Sequence, residues 1–163
     1  MTLNEYMSSL RGKRIAVVGI GVSNRPLISL LLDAGCDVTA CDKRDRAALG
    51  EDAAAELENR GCRLKLGETY LDGLDFDVIF RTPGLHPRFL AEAEEKGARL
   101  TSEMEAFFEL CPCRIFAVTG SDGKTTTTSI IAELPKNCIA EYAENTVLKN
   151  FFRSFSFSSL TDE

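Results

Sequence analysis

A glycine-rich run near the end of the chain has the residue types and spacing of a phosphate-binding loop. Its members are Gly120, Ser121, Asp122, Gly123, Lys124, Thr125 and Thr126. Such a loop requires a strand before it and a helix after it, and the sequence predicts both, at Arg114 to Thr119 and from Lys124 to about Leu134. Glycines let backbone N–H groups converge on phosphate oxygens, and the helix N-terminus adds a positive field. We therefore expect Lys124 to reach the β- and γ-phosphates as the catalytic cation, and the Thr125 hydroxyl to bind Mg²⁺.

This loop is shorter than the general pattern G-x-x-x-x-G-K-[ST], which would place glycine where Val118 stands. The alternative is a glycine-rich turn between a strand and a helix, with an exposed lysine. Four threonines, at 125 to 128, follow the lysine, and threonine is only a middling helix former. That run favours a phosphate site over a turn that needs a single capping residue.

A second glycine loop, Gly19-Ile20-Gly21-Val22-Ser23-Asn24, follows the first predicted strand. It begins like a dinucleotide fingerprint, but Asn24 replaces the third glycine. Asp42 ends the next predicted strand, where an NAD-binding domain keeps an acid for the ribose. These positions alone favour NAD, whereas the phosphate loop downstream has no role in a dehydrogenase. A tight turn that lets helix and strand pack closely is the remaining interpretation.

The elements that must position these loops alternate along the chain. Strands are predicted at 14–19, 37–42, 63–66, 77–80 and 98–101, and helices at 23–34, 52–60, 88–96 and from Ser102, with Glu105 completing a capping box. We interpret Glu103 and Glu105 as cap and helix-face charges, and the first ten residues as a short helix or a frayed arm. The alternation predicts βαβ units and a parallel sheet. The fold class is therefore α/β, a Rossmann-like domain followed by the truncated start of a P-loop ATPase domain.

Three segments follow from this pattern. Residues 1–110 form the Rossmann-like domain, residues 111–134 begin the P-loop domain, and Cys111-Pro112-Cys113 is the linker. Residues 135–163 are atypical, because phenylalanines at 151, 152, 155 and 157 lie among serines without helical or strand alternation. This segment is either an adapted C-terminal end or a frameshifted or otherwise aberrant tail, and we favour the second.

Charge and hydropathy restrict the classes of partner. The chain of 163 residues is 44% hydrophobic and carries a formal net charge of -6, with both signs scattered, which argues against a general nucleic-acid binder. No apolar run reaches the length of a membrane span, and the start lacks the pattern of a secretion signal. The six cysteines show no zinc spacing. We expect reduced thiols in a cytoplasmic protein that binds neither nucleic acid nor membrane.

Five segments together resemble the Mur ligase family: GIGVS at 19–23, CDKRD at 41–45, RTPGL at 81–85, SEMEAFF at 102–108 and AVTGSDGKTTTT at 117–128. Their order and spacing agree with that family from residue 1 to about 134. The short P-loop form is specific to these ligases and their folylpolyglutamate relatives. The resemblance is greatest to the branch that adds D-glutamate to UDP-N-acetylmuramoyl-L-alanine in peptidoglycan biosynthesis. The branch that adds L-alanine is the alternative, but it usually carries His where Asp122 stands.

The resemblance implies roles for individual residues of the first domain. That domain would bind a UDP-sugar rather than NAD, with Val22 and Ser23 approaching its diphosphate. Asp42 and Arg44 match a pair that holds the uracil, and Gly84 matches a backbone position in the same pocket. A non-catalytic nucleotide-binding module of Rossmann type is the other hypothesis. It predicts affinity for NAD and indifference to UDP-sugars.

The resemblance also implies the reaction. ATP would phosphorylate the substrate carboxylate, and the amine of D-glutamate would attack the acyl-phosphate to give an amide, ADP and phosphate. Lys124 and Mg²⁺ would neutralise charge on the transferred phosphoryl group. The family's later magnesium ligands, its carbamoylated lysine and its amino-acid-binding domain have no counterpart in this sequence. We therefore expect an N-terminal fragment of an ATP-dependent amide-forming ligase that is inactive by itself.

Overall fold

The computed structural model describes residues 1–112 and 118–133. Internal contacts divide the chain into two units, Met1–Leu110 and Cys111–Glu163. The predicted strand Arg114 to Thr119 lies outside the described residues except for Val118 and Thr119, which belong to no strand. The atypical segment 135–163 also lies outside the described residues.

The first unit is built on a five-stranded parallel sheet, which confirms the predicted α/β class. The strands are β1 (Arg14–Val18), β2 (Asp37–Asp42), β3 (Arg63–Leu66), β4 (Val78–Arg81) and β5 (Arg99–Thr101). Their order across the sheet is β3-β2-β1-β4-β5, and every neighbouring pair is parallel. The helices of this unit are α1 (Leu3–Leu10), α2 (Asn24–Asp33), α3 (Arg46–Leu49), α4 (Glu51–Asn59), α5 (Ala91–Glu95) and α6 (Glu103–Leu110).

Both faces of the sheet are covered, because the central strands β1, β2 and β4 direct alternate side chains into two apolar layers. Ile15 and Val17 of β1 belong to a layer that includes residues of α1, α2, α4 and α6. Ala16 and Val18 belong to a second layer with residues of α5 and of the loops on either side of β4. Strands buried on both faces are nearly continuous apolar runs, which explains why the sequence predicts them well.

The strand order reverses beside β1. The chain steps from β1 to β2 and β3 in one direction, and β4 and β5 then lie on the other side of β1. β1 and β4 are therefore neighbours, but the loops that follow their carboxyl ends diverge. In open α/β sheets this arrangement opens a crevice at the carboxyl edge.

Three short elements refine the sequence expectation. The first residues form α1, whose start carries a capping box between Thr2 and Glu5, so they are not a frayed arm. The predicted helix at 88–96 is a 3-10 turn, Pro87–Leu90, followed by the short α5; such turns are common at helix N-termini. The helix α3 lies in a stretch for which the sequence predicts neither helix nor strand. The Asp45 side chain caps this helix by accepting from Ala48 N–H at 2.8 Å.

Three buried cysteines of the first unit form no disulfide: Cys36, Cys41 and Cys62. Burial raises the pKa of Cys41 to about 12, although Lys65 lowers it slightly, so this thiol stays protonated and unreactive. In the described part of the chain, every helix is too short or too polar to cross a membrane.

Candidate functional site

A cavity of about 280 Å³ lies at the carboxyl edge of the sheet. Its lining residues are Val18, Gly19, Asp42, Lys43, Tyr70, Thr82, Gly84 and Leu85. They come from the ends of β1 and β2, from the segment between β3 and β4, and from the turn after β4. The cavity therefore lies where the strand order reverses, which is where open α/β sheets bind ligands. We call it the switch-point cavity.

Gly19 allows the loop after β1 to approach the turn after β4. Its backbone has φ +95°, and a Cβ atom at this position would lie 3.0 Å from Thr82 Cγ2. The N–H of Gly19 donates to Cys41 O (2.7 Å), and the N–H of Thr82 donates to Val18 O (3.0 Å). Both conformation and space therefore exclude a side chain at Gly19, and this wall of the cavity is backbone.

The Asp42 carboxylate joins the loop after β1 to the end of β2. Oδ2 accepts from Ile20 N–H (2.7 Å) and Arg44 Nη2 (2.9 Å), and Oδ1 accepts from the N–H (2.9 Å) and Nε (3.0 Å) of Arg44. Burial alone would raise the pKa of Asp42, but these hydrogen bonds outweigh it and lower the pKa to about 2. A carboxylate offers about four acceptor positions, so protein donors fill all of them.

Arg44 is the counterpart of this carboxylate. Its Nη2 also donates to Ile20 O (2.7 Å), so the guanidinium holds the glycine loop and the end of β2 together. The Arg44 side chain is 38% exposed, and its Nη1 has no hydrogen-bond partner among the described residues. The predicted Asp–Arg pair is thus an ion pair within the protein, in which only Arg44 keeps an unused donor.

Asn24, at the position of the third fingerprint glycine, is a buried support of the glycine loop. It is 3% exposed, and its Nδ2 donates to Gly19 O (2.8 Å) and Val18 O (3.3 Å). The side chain thereby holds the Gly19 carbonyl and gives the Val18 carbonyl a second donor besides Thr82 N–H. This pairing gives the substitution a structural reason that is separate from ligand choice.

The predicted UDP-sugar residues fall into two groups. Asp42 and Gly84 line the switch-point cavity, and Arg44 is paired with Asp42 without being part of the lining. Val22 and Ser23 are exposed at the start of α2 and are not part of the lining. The Ser23 side chain makes no cap hydrogen bond, so the start of this helix is open to an anion.

The cavity also has lining residues that the motifs did not single out. Lys43 and Thr82 stand inside the matched segments 41–45 and 81–85. Tyr70 stands in a stretch without a motif, between β3 and β4. Its position just after a predicted strand is the only sequence signal that could have suggested it.

The second unit contains the predicted phosphate loop. Gly120 and Gly123 have positive φ values of 153° and 71°, and α7 (Lys124–Glu133) begins directly after them, as predicted. Lys124 Nζ donates to the carbonyls of Gly120 and Ser121, the latter at 2.9 Å. Thr125 is exposed in the first turn of the helix. The loop thus holds its lysine over its own backbone.

Glu103 corrects one sequence expectation. It is 8% exposed, so it is not a helix-face charge, and burial raises its pKa to about 7. One of the two hydrogen bonds of the predicted capping box is present, since Ser102 Oγ accepts from Glu105 N–H at 3.2 Å. Sequence spacing could not distinguish the two glutamates, because both lie in the first turn of α6.

Curated relatives agree closely with the first part of the chain. It is 52% identical over 134 residues to a UDP-N-acetylmuramoylalanine–D-glutamate ligase of Clostridium novyi, a match that covers 80% of this chain and 29% of the relative. A protein of the same name from Acetivibrio thermocellus is 50% identical over 138 residues, which cover 82% of this chain and 29% of that protein. The chain thus spans less than a third of these relatives, at their N-terminal end.

Comparisons with solved structures give weaker matches. A UDP-N-acetylmuramate-alanine ligase from Thermotoga maritima aligns with a TM-score of 0.49 and 25% identity, over 74% of this chain and 28% of that one. A shikimate dehydrogenase from Aquifex aeolicus aligns with a TM-score of 0.41 and 19% identity, over 71% of this chain and 54% of that one. Both scores are too low to carry an argument. No protein-family model matches the chain.

The close relatives bear the same name in different bacteria, and the matched stretch holds both glycine loops. Identity of about half over four fifths of the chain is far beyond what a shared fold alone requires. The chain therefore belongs to the Mur ligase family and corresponds to the N-terminal part of its D-glutamate-adding members.

Proposed function

We propose that the first unit binds UDP-N-acetylmuramoyl-L-alanine in the switch-point cavity, as the N-terminal part of a cytoplasmic D-glutamate-adding ligase of peptidoglycan biosynthesis. The observation that carries the proposal is the position of this cavity. It joins the carboxyl ends of β1, β2 and β4 at the reversal of strand order. The curated relatives described above are named for a substrate in which a UDP-sugar is linked to alanine.

The charges around the cavity favour an anionic nucleotide whose ribose hydroxyls do not donate to a carboxylate. Asp42 has no acceptor position left for a ribose hydroxyl, because four protein donors occupy it. Arg44, paired with Asp42, has an unused donor, and Lys43 places a cation in the lining. The open start of α2, at Val22 and Ser23, would take a diphosphate. An NAD-binding site would instead need the Asp42 carboxylate for its ribose.

We propose in addition that the phosphate loop holds ATP with Mg²⁺. The glycine conformations at Gly120 and Gly123 and the helix that starts at Lys124 fit a triphosphate cradle. Mg²⁺ binds mainly through nucleotide phosphates and water, and the exposed Thr125 hydroxyl would be its protein ligand.

The chemistry that follows is amide formation in the whole enzyme. ATP supplies the phosphoryl group that turns the poorly electrophilic substrate carboxylate into an acyl-phosphate, which D-glutamate then attacks. Lys124 would move from the carbonyls of Gly120 and Ser121 to the phosphate oxygens and neutralise charge there. Because the chain spans less than a third of its relatives, we expect residues 1–163 alone to form no amide. Phosphate release that requires both UDP-sugar and D-glutamate would contradict this expectation.

Titration calorimetry on the chain with UDP-N-acetylmuramoyl-L-alanine and with NAD tests the binding proposal. We expect binding of the UDP-sugar and none of NAD. Replacing Arg44 by Ala should weaken binding by about 1–3 kcal/mol, the value of a hydrogen bond to a charged group. The matched control is Arg46→Ala, since Arg46 pairs only with Glu51 and Glu58. Tight NAD binding without UDP-sugar binding would overturn the proposal.

A further inference from the structure

Tyr70 is the one aromatic side chain in the lining of the switch-point cavity. We propose that its ring forms the wall against which a nucleobase lies, and that it thereby helps to select the base. This inference rests on the proposed UDP-sugar site and adds a specificity-determining residue to it. None of the five motif segments contains Tyr70, and the assignment rests on its place in the cavity lining.

The backbone beneath Tyr70 is fixed to the other side of the site. Gly67 N–H donates to both Asp42 O (3.0 Å) and Arg44 O (3.1 Å), and Tyr70 N–H donates to Gly67 O (3.2 Å). Gly67 has φ +86°, a conformation that favours glycine. The turn that carries Tyr70 is therefore tied to the segment that holds the Asp42–Arg44 ion pair.

Tyr70 belongs both to the apolar interior and to the cavity wall. It is partly buried and packs against the second apolar layer, which contains Leu74 and Leu85. It also lines the cavity. The lining also contains Gly19 and Gly84, which have no side chains to obstruct a planar group.

These features suit a flat heterocycle better than a sugar or a peptide. A base stacked on an aromatic side chain gains about 1–3 kcal/mol in alanine-substitution experiments, and stacking alone accepts any base. Selection between bases must therefore come from the space that the Tyr70 ring leaves in the cavity. With Tyr70 in place the cavity is about 280 Å³, and removal of the ring would open it to a larger, two-ring base.

The test compares the affinities of UDP and ADP for the whole chain and its variants. We expect Tyr70→Phe to bind UDP within about twofold of the unchanged protein. Tyr70→Ala should bind UDP about 10-fold more weakly, from the stacking energy, and lose ADP affinity less, so that the UDP/ADP preference falls. Tyr70→Leu keeps apolar bulk against Leu74 and Leu85 without an aromatic face, and should show the same loss if the alanine variant does not fold.

Phe89→Ala is the matched control, because Phe89 is a 54% exposed aromatic residue outside the cavity lining. It should leave both affinities unchanged. If the unchanged protein binds UDP and the folded Tyr70→Ala and Tyr70→Leu variants bind it equally well, the role of Tyr70 is wrong and the UDP-sugar site stands. If the unchanged protein binds no UDP, both the site and the role of Tyr70 are wrong.

Discussion

Asp42 and Arg44 show what a residue pattern predicts and what it leaves open. The position of Asp42 at the end of a predicted strand marks it as a candidate, and the family resemblance adds Arg44. The hydrogen bonds that fill the Asp42 carboxylate depend on where the Ile20 N–H lies, at 2.7 Å. That distance joins two segments more than twenty residues apart, so only the fold reveals it. Under the proposed function, Arg44 would contact the ligand with its unused donor, and Asp42 would hold Arg44 and the glycine loop in position.

Gly19 offers a sharp test of how the cavity is built. We expect Gly19→Ala to lower the free energy of unfolding by about 1–3 kcal/mol, because φ is +95° and Thr82 Cγ2 is only 3.0 Å from the added atom. Gly21→Ala is the control, since Gly21 has no positive φ and nothing lies within 4 Å of its Cβ position. Urea unfolding of both variants measures the difference. Equal stability of the two variants would contradict the close approach of these loops.

Glu103 should make stability depend on pH. Below the unfolded-state pKa of 4.5, the Glu103 carboxyl is protonated in both the folded and the unfolded protein, so it does not lower the free energy of unfolding. As pH rises to about 7 the unfolded chain ionises while the buried carboxyl stays protonated, so the free energy of unfolding falls. Between pH 4.5 and 8, the free energy of unfolding of Glu103→Gln should therefore rise by about 2–3 kcal/mol relative to that of the unchanged protein, since one pKa unit is worth about 1.36 kcal/mol.

Urea unfolding across this pH range checks the glutamine variant. Glu105→Gln serves as the control, because Glu105 is exposed in the same turn of α6 and its replacement should give no such trend. A Glu103→Gln variant whose advantage stays constant from pH 4.5 to 8 would show that the carboxyl is not kept neutral by burial.

The helices and strands of the first unit follow closely from local patterns, with informative exceptions. Each predicted strand of that unit is present, because apolar runs between turn residues suit strands covered on both faces. The short helix α3 was not predicted, because its four residues are too few to show the helical period of apolar side chains. The turn that carries Tyr70 was not predicted either, because long-range hydrogen bonds to Asp42 and Arg44 fix it.

Helix α1 provides the test at this scale. Tyr6 is 1% exposed, its hydroxyl has no hydrogen-bond partner in the part of the chain that the structure describes, and burial raises its pKa to about 12. Tyr6→Phe should leave the free energy of unfolding unchanged or raise it by up to about 1 kcal/mol, because it removes an unsatisfied polar group. Tyr6→Ala should lower it by about 3–5 kcal/mol through the lost ring. Thermal unfolding of both variants decides whether α1 is anchored by apolar contact, and a strongly destabilised phenylalanine variant would contradict that view.

At the scale of the whole molecule, the two edges of the sheet have different characters. The amino edge carries exposed ion pairs, such as Arg14 with Asp75 (2.9 Å) and Arg63 with Asp37 (2.6 Å). The carboxyl edge carries the switch-point cavity and the open start of α2. Sequence order predicts a parallel sheet, but the reversal of strand order depends on which side of β1 the strand β4 takes. The position of the cavity is therefore a property of the folded sheet.

The most direct test of a ligand site at this edge is a map of backbone amide chemical shifts during titration with UDP-N-acetylmuramoyl-L-alanine. The account predicts the largest changes at residues 19–23, 42–44, 70 and 82–85, the loops that surround the cavity and begin α2. Residues at the amino edge, such as Arg14 and Asp37, should not shift. Changes concentrated at the amino edge, or none at saturating UDP-sugar, would contradict the proposed site.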